Sequence, residues 1–284
     1  MKKVSGYFSV DLGAGSDVGS VREQNEDAFH TLLGTGSDNE PFDALLIVAD
    51  GMGGHAAGEV ASEMAVTNLP KHLVEAMLAA DDHDDLAEIL SECVRKTNHD
   101  IYEKSKEDDT RGMGTTLTAG MVVENEFVYA HVGDSRGYLL REGSIEQFTT
   151  DHSWVAEQVA LGILTEEQAE NHPRRNIITR AMGLDSIVEV DSGSVKLSLQ
   201  DKILLCSDGL HGLVKSEEMV EICDEENPDD AFQSLIDMAN DRGGHDNITV
   251  VIAKMDKGEN YQLSSVQGEG LRSVIGNIKN LFSD

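Results

Sequence analysis

Three aspartates, Asp50, Asp208 and Asp246, each flank an apolar run that reads as a buried strand, and each is followed by a residue suited to a tight turn: Gly51, Gly209 and Asn247. Taken singly, an Asp beside Gly or Asn is ordinary turn vocabulary. Taken together, three carboxylates carried at strand termini can converge at one edge of a sheet, where like charges that close are tolerable only with cations between them. Carboxylate, carbonyl and water oxygens are hard ligands that favour magnesium or manganese, and they do not separate the two. No Cys/His cluster with zinc spacing competes for this role.

The elements that must position these carboxylates are legible as periodicity. Residues 44–49 form a continuous apolar run ending at Asp50, residues 202–206 lead into Ser207 and Asp208, and Asp246-Asn247 opens the β-branched run 248–252. Residues 126–134 alternate Phe127, Tyr129 and His131 against Val128, Ala130 and Val132, as a strand with two differently packed faces should. Further strand-like segments cover 115–123, 137–141 and 187–197. Helical spacing is clearest over 85–104 and 228–240, and a third pattern starts near Ala56 with Pro70 marking a kink or a break. Strand runs and helix runs are grouped, which predicts α+β layers of antiparallel sheet flanked by helices. Residues 151–185 form an excursion of short helical patterns, and the segment from about Lys257 combines a polar linker with apolar residues at helical spacing.

With 53 acidic against 22 basic residues among 284, the formal net charge is -31. That argues against a broad electrostatic grip on nucleic acid or an anionic membrane. It also means that a phosphate-bearing substrate needs cations and a well-placed Arg to overcome the surrounding field. Cys93, Cys206 and Cys223 are too few and too irregularly spaced for a disulfide framework. The start lacks the apolar run of a signal peptide and no segment approaches transmembrane length, so a cytoplasmic protein is expected.

Seven short segments follow one another along the chain: Arg22-Glu23-Gln24-Asn25-Glu26-Asp27, Asp50-Gly51-Met52-Gly53-Gly54-His55, Gly112-Met113-Gly114-Thr115-Thr116, Val132-Gly133-Asp134-Ser135-Arg136, Asp151-His152-Ser153, Cys206-Ser207-Asp208-Gly209 and Gly244-His245-Asp246-Asn247. In this order they resemble the metal-dependent protein phosphatases of type 2C, specifically the small bacterial serine/threonine phosphatases. The resemblance implies a central β-sandwich of two antiparallel sheets flanked by helices, a four-layer αββα arrangement, with a metal centre at one end. It implies Asp50 as the ligand bridging two metals, the Gly51 carbonyl as a ligand to one of them, and Asp208 and Asp246 completing the second. Glu26 and Asp27 would act mainly through metal-bound water, and Asp134 with Asp208 resembles the third metal site of bacterial members.

The reaction implied is hydrolysis of phosphoserine and phosphothreonine in proteins by a water bridging two Mn2+ or Mg2+ ions, with no phosphoenzyme. Arg22 would clamp the phosphate, since a guanidinium pairs with two phosphoryl oxygens at once. His55, a few residues beyond Asp50, is the expected general acid for the departing alkoxide. His131, His152, His172 and His245 read as structural, and the absence of a C-x5-R loop leaves the cysteines without a catalytic job. Residues 1–256 would form the catalytic domain, with 151–185 as a flap beside the site and 257–284 as a linker and short amphipathic tail. Arg174 and Arg175 on that flap read as solvated. Phosphoproteins and a cognate Ser/Thr kinase are the expected partners, and a monomer the expected state. A catalytically silent binding module would lack some of these metal ligands, and a structural calcium protein would leave Arg22 and His55 unexplained.

Overall fold

The computed structural model describes residues 2–4, 8–34, 42–53, 57–80 and 85–257, with the main chain alone at 2–4 and at Leu78. His55 and the tail from residue 258 lie outside the described residues. The strands are β1 (Lys2–Val4), β2 (Phe8–Asp17), β3 (Asp27–Leu33), β4 (Ala44–Met52), β5 (Gly114–Thr115), β6 (Leu117–Val123), β7 (Glu126–Val132), β8 (Arg136–Arg141), β9 (Ser144–Gln147), β10 (Asp191–Lys196), β11 (Lys202–Cys206) and β12 (Ile248–Lys257). The helices are α1 (Ala57–Ala79), α2 (Leu86–Lys104), α3 (Trp154–Ala160), α4 (Glu166–Glu170), α5 (Asp208–His211), α6 (Ser216–Glu225) and α7 (Pro228–Asp241).

One antiparallel sheet runs β1-β2-β12-β11-β8-β9, and the other runs β10-β7-β6-β4-β3 with β5 attached to β4. They pack face to face, with α1 and α2 covering the second sheet and α5, α6 and α7 the first, so the expected αββα layers are present. The unbroken apolar run of β4 follows from this position. Leu45, Ile47 and Ala49 face α1 and α2, while Ala44, Leu46 and Val48 face the other sheet, so both faces of the pleat are dry. Helix α2 starts where Asp85 accepts the Ala87 N–H, and it buries Leu90, Cys93, Val94, Thr97 and Ile101 at three- and four-residue steps. Asn227 caps α7, with Pro228 in its first turn, and Ala231, Leu235, Ile236 and Ala239 turn inward.

The structure departs from the local reading in four places. Helix α1 continues through Pro70. Proline inside a helix costs about 3 kcal/mol, and the neighbouring Val66, Leu69 and Leu73 are buried in the core that offsets it. The strand expected over 115–123 is interrupted at Thr116, whose hydroxyl serves another element, described below. The one expected over 187–197 shortens to β10. Asp208 stands in the first turn of α5 rather than at a strand end.

Candidate metal centre

Because every paired strand is antiparallel, the C-terminal ends of β4, β7 and β11 and the N-terminal ends of β3, β8 and β12 fall on one edge of the sandwich. That edge collects Asp50 from β4, Asp27 from β3, Asp134 from the β7–β8 turn, Asp208 after β11 and Asp246 before β12. The Asp50 carboxyl feels the charges of Asp27, Asp208, Asp134 and Asp246 together. Five of the six acidic residues singled out in the sequence therefore share one electrostatic site, and Glu26, the sixth, feels Asp246 and Arg22 at its margin.

The edge is braced by hydroxyls. Asp27 lies opposite Asp50 in the β3–β4 register, and one of its oxygens accepts from Ser207 Oγ and Thr249 Oγ1, each at 2.7 Å. The main chain of Asp50 is held by two successive threonines: its N–H donates to Thr116 Oγ1 at 2.9 Å, and its carbonyl accepts from the Thr116 N–H at 2.8 Å and from Thr115 Oγ1 at 3.0 Å. This is why β5 and β6 are separate strands. Thr116 Oγ1 in turn meets Ser135 Oγ at 2.7 Å. Gly51 has no room for a side chain, since a Cβ there would come within 2.2 Å of the Gly58 carbonyl oxygen and 2.5 Å of that of Glu26. Close approach of the α1 start to the end of β4 thus requires glycine.

Asn247 ties the loop carrying Arg22 and Glu26 to β12. Its Nδ2 donates to the carbonyls of Val18 (3.0 Å) and Gln24 (2.9 Å), and its Oδ1 accepts the Glu26 N–H at 2.8 Å. Burial raises the Glu26 carboxyl above the ordinary carboxylate range, with Arg22 and the main-chain N–H of Gly58 at the start of α1 acting against that shift. Arg22 Nη2 donates to Asp246 Oδ2 at 2.7 Å, with nearly half of the Arg22 side chain exposed (48%), and Glu26 and Asp50 add to the field around it. Ser207, Thr249, Asn247, Thr116 and His211, whose Nε2 lies 3.0 Å from the Asp134 carbonyl, are site-building residues that sequence reasoning did not single out. Ser207, Asn247 and Thr116 sit inside the quoted motifs, so adjacency was the available signal. Thr249 and His211 carried none.

Burial, reinforced by neighbouring carboxylates, pushes Asp27 up to about 7, Asp134 to about 8 and Asp208 to about 6, and raises Asp50 well above the ordinary carboxylate range. Buried Asp134 Oδ1, Asp208 Oδ1 and Glu26 Oε1 have no hydrogen-bond partner. Among the described residues no three Asp, Glu, His or Cys side chains close into a ready-made coordination shell. The fit to cations therefore rests on charge and on orphaned hard oxygens. A cluster of carboxylates taken from water with three of its oxygens left without donors is costly, and divalent cations would supply the missing charge. By contrast, burial pushes the thiols of Cys206 and Cys223 up to about 12 and that of Cys93 to about 11, and all three are free and buried. None is a nucleophile near neutral pH.

The family model for Protein phosphatase 2C matches residues 15–248, from within β2 to the start of β12, a span that contains all six acidic residues of this edge and Arg22 and stops one residue short of Thr249. The chain belongs to the protein phosphatase 2C family. This phosphatase is 43% identical over 246 residues to the serine/threonine phosphatase stp of Listeria monocytogenes, covering 85% of this chain and 94% of that protein. It matches the crystal structure of the Mycobacterium tuberculosis serine/threonine phosphatase PstP/Ppp with a TM-score of 0.76 at 38% identity, over 87% of this chain and 99% of that one. The catalytic domain of PstP in complex with two manganese ions matches with a TM-score of 0.71 at 36% identity, over the same shares. The activity of this phosphatase is the metal-dependent hydrolysis of phosphoserine and phosphothreonine in proteins, with Mn2+ or Mg2+ as the class of cofactor.

Proposed function

We propose that the acidic edge holds two divalent cations, with a third beside Asp134, and that it hydrolyses phosphoprotein substrates without a covalent intermediate. Asp50, the Gly51 carbonyl, Asp208 and Asp246 would hold the two principal ions, with Asp50 shared between them, Gly51 serving one and Asp208 and Asp246 the other. Glu26 and Asp27 act one water further out, and Asp134 with Asp208 serves the third. The observation that carries this reading is the set of buried, partnerless carboxylate oxygens on Asp134, Asp208 and Glu26 within a cluster that repels itself. When bound, the cations supply Lewis acidity toward the phosphoryl oxygens and lower the pKa of the attacking water.

The protein's own groups do the rest. Arg22 binds two phosphoryl oxygens, and its half-exposed guanidinium, paired here with Asp246, faces solvent from which a substrate phosphate would approach. Asp27, fixed by Ser207 and Thr249, orients water at the edge. His55 gives its proton to the departing alkoxide. Residues 1–256 make up the catalytic domain, 151–185 form a flap beside the site, and 257–284 are a linker and tail. The enzyme works as a cytoplasmic monomer that reverses a Ser/Thr kinase. In support of that location, no helix among the described residues is long and apolar enough to cross a membrane.

The test is hydrolysis of p-nitrophenyl phosphate and of phosphothreonine and phosphotyrosine peptides side by side. Manganese-dependent turnover that favours phosphothreonine and stops with chelator is expected. Asp208→Asn, which removes ligand charge with little change of volume, should abolish turnover in a folded protein. An undiminished rate in that variant rejects the site.

A further inference from the structure

His152 is buried, and no step proposed above uses it. It grips both polar groups of Gly133. Its main-chain N–H donates to the Gly133 carbonyl at 2.7 Å, and Nδ1 of its ring accepts the Gly133 N–H at 2.9 Å. Gly133 holds φ at +112°, and a Cβ there would come within 2.6 Å of the Thr116 side chain, so the glycine is pressed against the residue that holds the Asp50 main chain. The next residue is Asp134, with its buried, partnerless Oδ1.

The ring is itself oriented. An Nδ1 that accepts carries no proton, so the neutral imidazole has its proton on Nε2. Nε2 faces Asp191 Oδ2 at 3.3 Å as its acceptor; Arg180 Nη1, itself a donor and so no hydrogen-bond partner for a protonated Nε2 at 2.8 Å, is held by Asp191 Oδ1 at 2.7 Å, and Arg180 Nη2 by Glu189 at 3.1 Å. The His131 ring packs against the His152 ring at a tilt of 39°, with centroids 4.8 Å apart. Burial, with the Arg180 charge adding to it, holds the His152 pKa below the ordinary histidine value and keeps the Nδ1 lone pair available. The His152 carbonyl accepts the Thr179 N–H at 2.8 Å, while Ser153 pairs with Ile178, so the root of segment 153–178 is fastened at the same residue.

We infer that His152 is a positioning residue: by holding Gly133 at both its N–H and its carbonyl, it sets the direction in which the next residue, Asp134, presents its carboxylate to the acidic edge. The effect on catalysis rests on the proposed role of Asp134, whereas the effect on the backbone does not.

The test uses the full chain. His152→Ala removes the ring acceptor and leaves the main-chain bond, while His152→Asn restores an oxygen near the position of Nδ1. In metal-free protein, amide hydrogen exchange at Gly133 should quicken by about tenfold or more in His152→Ala and return toward wild type in His152→Asn. The manganese concentration giving half-maximal hydrolysis of p-nitrophenyl phosphate should rise roughly 10- to 100-fold in His152→Ala, the range seen when a residue that orients a ligand is lost, and His152→Asn should restore it. If the alanine variant does not fold, His152→Gln, whose amide reaches the Nε2 position and leaves that of Nδ1 empty, takes its place with the same expectations. Unchanged exchange at Gly133, an unchanged manganese requirement, or failure of Asn to restore both overturns the inference. Asp134→Asn is measured in parallel. If it leaves the manganese requirement untouched, the assignment of Asp134 fails, and the exchange data alone judge His152.

Discussion

Asp27 and Asp50 stand directly opposite each other on the antiparallel pair β3–β4. Side chains so placed are about 5 Å apart, and two like charges there destabilise the pair. Two hydroxyl donors on one oxygen of Asp27 offset part of this repulsion, and in the proposed site a bound cation would answer the rest. Asp27→Asn keeps an oxygen for Ser207 and Thr249 and removes the charge. Without metal, at about pH 8, where Asp27 is largely ionised, it should stabilise the fold by about 1 kcal/mol. With manganese it should gain less than wild type. Calorimetry with chelator and with manganese reads both, and a lowered metal-free midpoint would contradict the repulsion.

The same carboxylates set a pH dependence. Asp27 at about 7 and Asp134 at about 8, with Asp50 raised as well, lie far above an unfolded Asp at about 3.9. Through that interval the folded, metal-free protein binds more protons than the unfolded chain, so stability falls as pH rises. Buried His131 and His211, lowered to about 4 and about 3, act in the opposite sense, and their contribution is lost as pH drops below about 6.5. Between about pH 7 and about 8, above the histidines and below the unfolded thiols, the carboxylates dominate, and the Tm of chelated protein should decline; the raised thiols extend the decline above about pH 8. Because cation and proton compete for the same oxygens, the Tm gain from manganese should grow over that range. A flat Tm in chelator, or a gain that shrinks with pH, would count against the cluster.

Arg22 separates substrate binding from metal binding. Arg22→Ala should lower kcat/KM for p-nitrophenyl phosphate by roughly 10- to 100-fold at saturating manganese, the worth of a charged hydrogen bond. It should not weaken manganese binding, because it relieves Asp246 of a competing partner. Arg22→Lys should recover only part of the loss, lacking the two-pronged geometry. Steady-state kinetics combined with a manganese titration decide the matter. A loss confined to manganese affinity would move Arg22 out of the substrate role.

Asn247→Leu should destabilise the protein by about 3 kcal/mol, because it strands the carbonyls of Val18 and Gln24 and the N–H of Glu26. Activity should fall further than stability alone explains, since the loop carrying Arg22 and Glu26 loses its anchor. Urea unfolding and turnover, compared on the folded variant, test this. A variant as stable as wild type would show that the anchor is redundant.

Much of the site was readable from residue type and spacing. Asp50, Asp208 and Asp246 were recognisable because each sits beside a buried apolar run, and such runs record the two dry faces of strands inside a sandwich. Helices α2 and α7 were readable because each buries a single stripe. Strand β2 alternates Phe8, Val10, Leu12 and Ala14, all in the core, against Ser9, Asp11, Gly13 and Gly15, a signal that was present and not used, whereas β3, half-buried along nearly its whole length, carries no such contrast. At Pro70, where a kink or a break was expected, core packing keeps α1 continuous and excludes the break.

The sequence by itself pointed to the chemistry: carboxylates beside buried apolar runs, hard ligands with no thiol alternative, and an arginine, Arg22, that the family resemblance offers for phosphate. Only the tertiary structure decided that Asp27 faces Asp50, that Ser207 and Thr249 meet on a single oxygen of Asp27, and that Asn247 and His152 grip the turns beside it. Composition and periodicity record which faces of an element avoid water. Hydrogen bonds between residues more than two hundred positions apart depend instead on which strand ends the antiparallel order brings to the same edge.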